Sequence, residues 1–329
     1  MENFFSLSKS ITLLVYSLIF RILLSDAIAQ TIEHTDDDPP LKWIGVEVVT
    51  NKVEMIPAIR SLSKISPGDS FRMSDPRPKE ACDSVRSGFP RFKVSCTAVL
   101  MENATALYVI QTTTSPRKIL KTRSCKKAFA LPPDLMALAQ NTTTEIEKQF
   151  KKKSNAKGNE FINEDEILDN SSPELHEMAL ATSKTIRGRL DQLAIASQSC
   201  DPEMRANSIQ LFNYAGNAKL TINNAAILLN DPDESVRNNA LRIISSFAKF
   251  VSPSASERFV ETACANLEKE TFLDRNKSIM ILHELIENNI IKPETIKNTC
   301  LTRIRELARY SLSDQIGSPA KAIIRVIEK

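Results

Sequence analysis

Glycine is scarce in this chain, at seven in 329 residues, and aromatic residues make up only 6%. So few glycines leave no phosphate-cradling loop and no dinucleotide fingerprint, because those turns need glycine at fixed offsets. The same scarcity fits a largely helical chain. The histidines are only three, His34, His176 and His283, far apart and in no metal or nucleophile motif. His283, between Leu282 and Leu285, reads as a structural or surface histidine. No two of the six cysteines have zinc-finger spacing, so no metal is expected. A net charge of +3 is too small for general nucleic-acid binding. No apolar run beyond the N-terminus is long enough to span a bilayer. With no convergent acid, base or nucleophile, no catalytic residue or cofactor is nominated, and the expectation is a protein that is not an enzyme.

What is present is an ordinary globular composition, 42% hydrophobic and 25% charged, in a length that accommodates two domains. Lys9 precedes an apolar run from Ile11 to Leu24, and Ala27-Ile28-Ala29 has the small-x-small form of a cleavage site. Residues 1–29 therefore read as a secretory signal peptide, interrupted by Arg21, and the expectation is export to a periplasm or the extracellular space. Residues 30–40, with Asp36-Asp37-Asp38-Pro39-Pro40, form an acidic leader.

Residues 41–130 read as a small α+β domain. Trp43 to Val49 is a strand, Val53 to Leu62 a short helix, and Ser66-Pro67-Gly68-Asp69 a turn. Pro78 to Gly88 is a second helix with Ala81, Cys82 and Val85 on one side. Phe92 to Leu100 alternates as a strand, and Ala106 to Gln111 returns as a further strand placed at the sheet edge. The order β-α-α-β-β, with Asn51 and Val53 after the first strand and Pro67-Gly68-Asp69-Ser70-Phe71 between the helices, resembles a POTRA domain. That resemblance implies binding of polypeptides by edge-strand pairing, with envelope or outer-membrane proteins as partners.

Arg117, Lys118, Lys121, Arg123, Lys126 and Lys127 form a basic patch without an intervening acid. It reads first as a solvated hairpin or loop, and second as a weak contact for anionic surfaces. A connecting helix is expected over 131–150. Residues 151–171 change from Lys151-Lys152-Lys153 to Glu164-Asp165-Glu166, and read as a charged linker.

Residues 172–329 repeat their punctuation: Ser172-Pro173, Asp201-Pro202, Asp231-Pro232, Ser252-Pro253 and Ser318-Pro319 each read as a helix start. Asp231 is expected to cap a helix beginning at Pro232, with Val236, Ala240, Leu241, Ile243, Ile244 and Phe247 on its apolar stripe. Met204 to Ile209 aligns with Val236 to Leu241, and Arg275 to Ile279 with Arg237 to Leu241. The stretch from Asp231 to Ile244 resembles a HEAT repeat, which implies an all-α right-handed solenoid of about four helix pairs. The resemblance also implies a structural ladder in which turn aspartates and helix arginines bridge neighbouring repeats, with Asp201 and Arg205, and Asp233 and Arg237, fitting it as caps and inter-repeat contacts and Asp231 and Arg275 as further structural positions of the repeats.

Among the cysteines, Cys82 and Cys96 face one layer and are the first disulfide candidate. Cys125 has no evident mate, and Cys264 reads as a small buried residue. Asn103-Ala104-Thr105, Asn141-Thr142-Thr143 and Asn170-Ser171-Ser172 match the glycosylation sequon. These features together predict an exported adaptor, with one protein partner on the α+β domain and a second on a concave repeat surface. The alternatives are a surface-associated structural protein held by the basic hairpin, and a lyase-type or accessory enzyme subunit of HEAT-like class.

Overall fold

The computed structural model describes residues 40–72, 74–101, 105–113, 127–151 and 160–328. They fall into two compact units, one from residues 1–116 with 147–153, the other from 117–146 with 154–329. The expected signal peptide, the leader as far as Pro39, and Cys125 lie outside the described residues.

The first unit is a mixed four-stranded sheet with two helices. Its elements are β1 (Leu41–Val49), α1 (Ile56–Ser63), β2 (Ser70–Phe71), α2 (Arg77–Gly88), β3 (Lys93–Met101) and β4 (Thr105–Thr113). The strand order is β2-β1-β4-β3, with β1 parallel and β3 antiparallel to β4. Helix α1 packs on β1, α2 on β3, and the helices on each other. β4 is therefore the central strand, and Ala106 to Ile110 are all buried. This corrects the edge placement of Ala106 to Gln111. A run of Ala, Leu, Tyr, Val and Ile suits a strand enclosed on both sides, where alternation is lost.

The core of this unit forms around Trp43, whose ring stacks on Phe71 at 3.6 Å and meets Tyr108 edge-on at 5.5 Å. The Tyr108 hydroxyl donates to the Pro78 carbonyl, tying the central strand to the start of α2. β1 slips register between Trp43 and Gly45, and Gly45 takes φ 150°, which a side chain would resist. Cys82 and Cys96 are disulfide-bonded as expected, Cα atoms 6.0 Å apart, joining α2 to β3.

The second unit is mostly helical. It contains the first part of α3 (Pro133–Lys151), a hairpin of β5 (Glu160–Ile162) and β6 (Leu168–Asn170), and then ten helices. These are α4 (Pro173–Ile186), α5 (Leu190–Ala196), α6 (Pro202–Leu211), α7 (Ala218–Leu228), α8 (Glu234–Ser246), α9 (Pro253–Leu267), α10 (Phe272–Glu287), α11 (Pro293–Lys297), α12 (Leu301–Tyr310) and α13 (Asp314–Ile327). Helices α6, α8, α10 and α13 pack side by side in that order, and α5, α7, α9 and α12 each pack on the helix that follows. Val236, Ala240, Leu241, Ile243, Ile244 and Phe247 are all fully buried, as the stripe requires.

Four local expectations change. Residues 160–170, taken as linker, form the hairpin, antiparallel from Glu160↔Asn170 to Ile162↔Leu168. Helix α8 starts at Glu234 with Asp233 as its cap, accepting from the Ser235 and Val236 amides at 2.9 and 3.1 Å. Pro319 lies inside α13, which starts earlier because Ser313 is the N-cap residue. Cys264 is not a lone buried thiol but is bonded to Cys300. Cys200 is disulfide-bonded as well.

Trp43 is the only tryptophan, so its fluorescence reports on the first unit alone. Replacing Cys82 and Cys96 with serine should lower the unfolding free energy of this unit by about 3 kcal/mol. In a urea titration the fluorescence transition moves to lower denaturant, while the helical circular-dichroism transition stays in place.

Candidate interaction surfaces

The most strongly built polar feature of the helical unit is a series of buried arginine–aspartate forks. Arg205 on α6 donates through Nε and Nη2 to both oxygens of Asp231, at 2.8 and 2.7 Å. Arg237 on α8 does the same to Asp274 on α10, at 3.0 and 2.8 Å. The third nitrogen of each guanidinium turns back to the preceding loop. Arg205 Nη1 donates to the Ser199 and Cys200 carbonyls, and Arg237 Nη1 to those of Asp231 and Pro232. Arg275 continues the pattern with Nε on the Lys269 carbonyl at 2.8 Å.

The expected caps and inter-repeat arginine contacts are present, but the aspartates that meet Arg205 and Arg237 are Asp231 and Asp274, not Asp201 and Asp233. Asp201 and Asp233 cap their own helices, and each arginine reaches one helix pair onward instead. A residue three or four positions into the helix lies above its own cap, but both capping carboxylates are occupied by amides. The partner Asp274 went unread in the sequence. Its signal is Thr271-Phe272-Leu273-Asp274, where Thr271 caps α10 and its hydroxyl also donates to Asp274 at 2.6 Å.

These forks are structural. Both carboxylates are within 1% of full burial as side chains, and both guanidinium groups within 6%. Burial opposes ionisation of Asp274, but the Arg237 hydrogen bonds and charge, backed by Lys269 and Thr271, hold its carboxyl below the usual range. Lys269 is itself pushed down by burial.

The row of helices is partly covered by the chain itself. Asn207 on α6 donates to the Met136 sulfur of α3, and Gln210 to Thr143 Oγ1 at 2.7 Å. Arg242 on α8 pairs with Glu160 on β5, and Lys249 donates to the Ile162 carbonyl at 3.2 Å. Arg189 forks onto Asp134 at the start of α3. The hairpin turn closes on α7, where Glu166 accepts from the Ala218 amide at 2.7 Å. Gly216 (φ 64°) allows that approach, because a Cβ there would lie 3.3 Å from the Asp165 carbonyl. Next to this turn is an open cleft of 730 Å³, lined by Arg187, Lys219, Glu164, Asp165 and Phe250 among others, with Arg187 3.9 Å from Asp165. Charges of both signs face each other there, and no nucleophile stands beside a base.

Lys277 on α10 sits close to Arg242 and Glu160. Burial pushes its amine down to about 8, Arg242 adds to the effect, and Glu160 opposes it. His176 bonds both oxygens of buried Asp169 at 2.9 Å, and His283 lies beside Glu284 and Glu287. Among the described residues no cluster of His, Cys, Asp or Glu is arranged to hold a metal ion. No helix among them is long and apolar enough to cross a membrane. Of the basic patch, Lys127 is exposed, 5.4 Å from the Phe129 ring centroid. Arg117, Lys118, Lys121, Arg123 and Lys126 lie outside the described residues.

In the first unit β3 is the last strand at one margin of the sheet among the described residues, paired to β4 along all nine of its residues. At the other margin β2 borders β1 only at Leu41 and Lys42. Each helix lends one arginine to these lateral strands: Arg60 Nε donates to the Val46 carbonyl at 3.0 Å, and Arg86 Nε to the Val94 carbonyl at 3.3 Å.

Removing one member of a fork strands a buried charge, so Arg237→Met should destabilise the helical unit by about 3–5 kcal/mol, and Arg237→Met with Asp274→Leu by less. Because the Asp274 pKa is depressed on folding, its contribution is full above about pH 4 and fades as pH falls through the lowered value. Asp274→Asn removes that acid limb, as urea titrations from pH 7 to pH 2 would show. Lys277 has a slope of the same sign in the alkaline range: its folded pKa lies below the unfolded one, so stability rises from about pH 8 towards pH 10. Lys277→Met should raise stability at pH 7 and flatten that rise.

Compared with known proteins, the chain matches no family model and no curated protein sequence.

Proposed function

We propose that the chain is a non-enzymatic adaptor working in an oxidising compartment outside the cytosol, periplasmic or extracellular. In this reading one protein partner docks on the α+β unit and another on the helical unit. The observation that carries it is the margin of the first sheet. Among the described residues β3 has a strand on one side only along its nine residues, the geometry that strand addition uses. The sheet order, with β4 between β1 and β3, supports a POTRA-like domain and hence polypeptides of an envelope or outer membrane as the partner class. The side-by-side row α6, α8, α10 and α13 supports a HEAT-like solenoid. The two disulfides support the compartment, because such bonds persist where the surroundings are oxidising.

The self-covering of α6 and α8 shifts the second docking surface away from the row of helices. Leu180 on α4, Ile195 on α5 and Ile227 on α7 are exposed, at 41%, 49% and 57%, and are the better candidates. Ile227 is the most exposed large apolar residue described.

A photo-reactive residue at Val99 on β3 and another at Ile227, cross-linked in cells and read by mass spectrometry, test the two halves separately. The expected result is a discrete protein adduct at each position, with different partners. A chain recovered from the exported fraction without any adduct at Val99 would remove strand addition from the reading.

A further inference from the structure

We propose that Asn141 is an acceptor for an N-linked oligosaccharide and that Asn170 is not, although both head a sequon. The inference rests on the extracellular arm of the export reading and not on the periplasmic one, since the modification takes place in the secretory lumen of a eukaryotic cell. In the step itself the carboxamide nitrogen of Asn141 bonds to the anomeric carbon of a lipid-diphosphate-linked oligosaccharide. The bond from that carbon to the diphosphate oxygen breaks, the lipid diphosphate departs, and one amide proton is lost.

Transfer comes before folding, so the two asparagines are separated by which sugar-bearing chain can reach the native fold and be secreted. On α3, Leu135, Ala139 and Thr142 are buried to within 1%, while Asp134, Ala137, Asn141 and Thr144 are exposed along the opposite face. Asn141 is in the middle of that solvent face, and its side chain makes no hydrogen bond among the described residues. A sugar there projects into water and costs the fold nothing. Asn170 ends β6 in a half-buried position beside buried Asp169. Its Oδ1 accepts from the Ser172 amide at 2.8 Å, and Pro173 begins α4 immediately afterwards. Proline confines Ser172 to extended backbone, and the hook between Asn170 and Ser172 is part of the α4 start.

The helix also fixes the order of events. Residues two apart on a helix point to different faces. The hydroxyl of Thr143, the third sequon residue, donates to the Ala139 carbonyl at 3.1 Å and accepts from Gln210 at 2.7 Å. A transferase must hold asparagine and threonine together, so it acts before α3 forms and docks on α6. Folding afterwards returns Thr143 to Gln210 and leaves the sugar outside. The sugar then shields the outer face of α3, which leaves that face unavailable to a partner.

The test is expression of the full chain in insect or mammalian secretory cells, with peptide mapping after enzymatic deglycosylation in heavy-oxygen water. The expected result is isotope-labelled aspartate at position 141 and unmodified asparagine at position 170. Asn141→Gln should remove one step of gel mobility without changing the secreted amount or the disulfides. A secreted, oxidised chain with unmodified Asn141 overturns the acceptor assignment, and labelled residue 170 overturns the selectivity. A chain that stays in the cytosol with reduced thiols overturns the export reading, and the acceptor assignment with it.

Discussion

The helical unit depends on charge that cannot leave water unless it is paired. Arg205 and Arg237 each bring a guanidinium into a nearly dry position, and five donors on each must be met there. The capping aspartates Asp201 and Asp233 do not meet them; one oxygen of each accepts helix-start amides instead. The next helix pair supplies the carboxylate, and the preceding loop supplies two carbonyls. One side chain thus fixes three things at once: the loop behind it, its own helix, and the pair ahead. Apolar stripes alone would permit α8 to slide along α6 by a turn. The fork does not, since a displaced guanidinium would face apolar surface at a cost of several kcal/mol. Buried pairs of this kind add little net stability over a well-packed apolar replacement, so their consequence is register between successive helices.

The α+β unit reaches order by different means. Its sheet has two margins, and each of the two helices places an arginine on a carbonyl of a lateral strand. Arg60 is pushed down by its burial and supported by the charge of buried Glu47, so this arginine too is held inside the fold. The disulfide from Cys82 to Cys96 fixes α2 across β3. The β3 backbone is thereby held on one side by β4 and by the disulfide, and its Val94 carbonyl also accepts from Arg86.

Much of this was legible in the residues. The order of strands and helices apart from the short β2 between the two helices, the Cys82–Cys96 pair and the stripe from Val236 to Phe247 follow from local pattern, and proline after a cap marks α4, α6 and α9 correctly. What was not legible is non-local. β4 becomes central because β1 returns to it in parallel, which no short-range pattern states; its unbroken apolar run from Ala106 to Ile110 was the available signal. The hairpin at 160–170 was masked by its acids. Its strands are three residues each, and Glu166 adopts φ 54° to close the turn. The signs were Phe161-Ile162 and Ile167-Leu168 on either side of Asn163, whose side chain bonds back to the Ile167 amide and Asp169. Asp231 and Asp274 were hidden by a competing local rule, since an aspartate before a proline, or in a first helical turn, already has a reason to be there. The Cys264–Cys300 bond crosses from one helix pair to the next, and spacing alone does not specify such a crossing.

Magnitudes decide how firmly α3 and the hairpin cover the row of helices. The Arg242–Glu160 pair is partly exposed on both sides, at 32% and 40%, and such a pair contributes about 1 kcal/mol at most. Ile162, Ile167 and Leu168 are buried to 8%, 0% and 5%, and full burial of one such side chain is worth about 1.5–3 kcal/mol. Apolar contact, not charge, therefore holds the hairpin. Salt that screens Arg242 from Glu160 leaves those three side chains in place, and so does protonation of Glu160. The cover is a permanent part of the helical unit and not a latch released by ionic conditions. The exposed apolar positions on α4, α5 and α7, Leu180, Ile195 and Ile227, are left open by this cover.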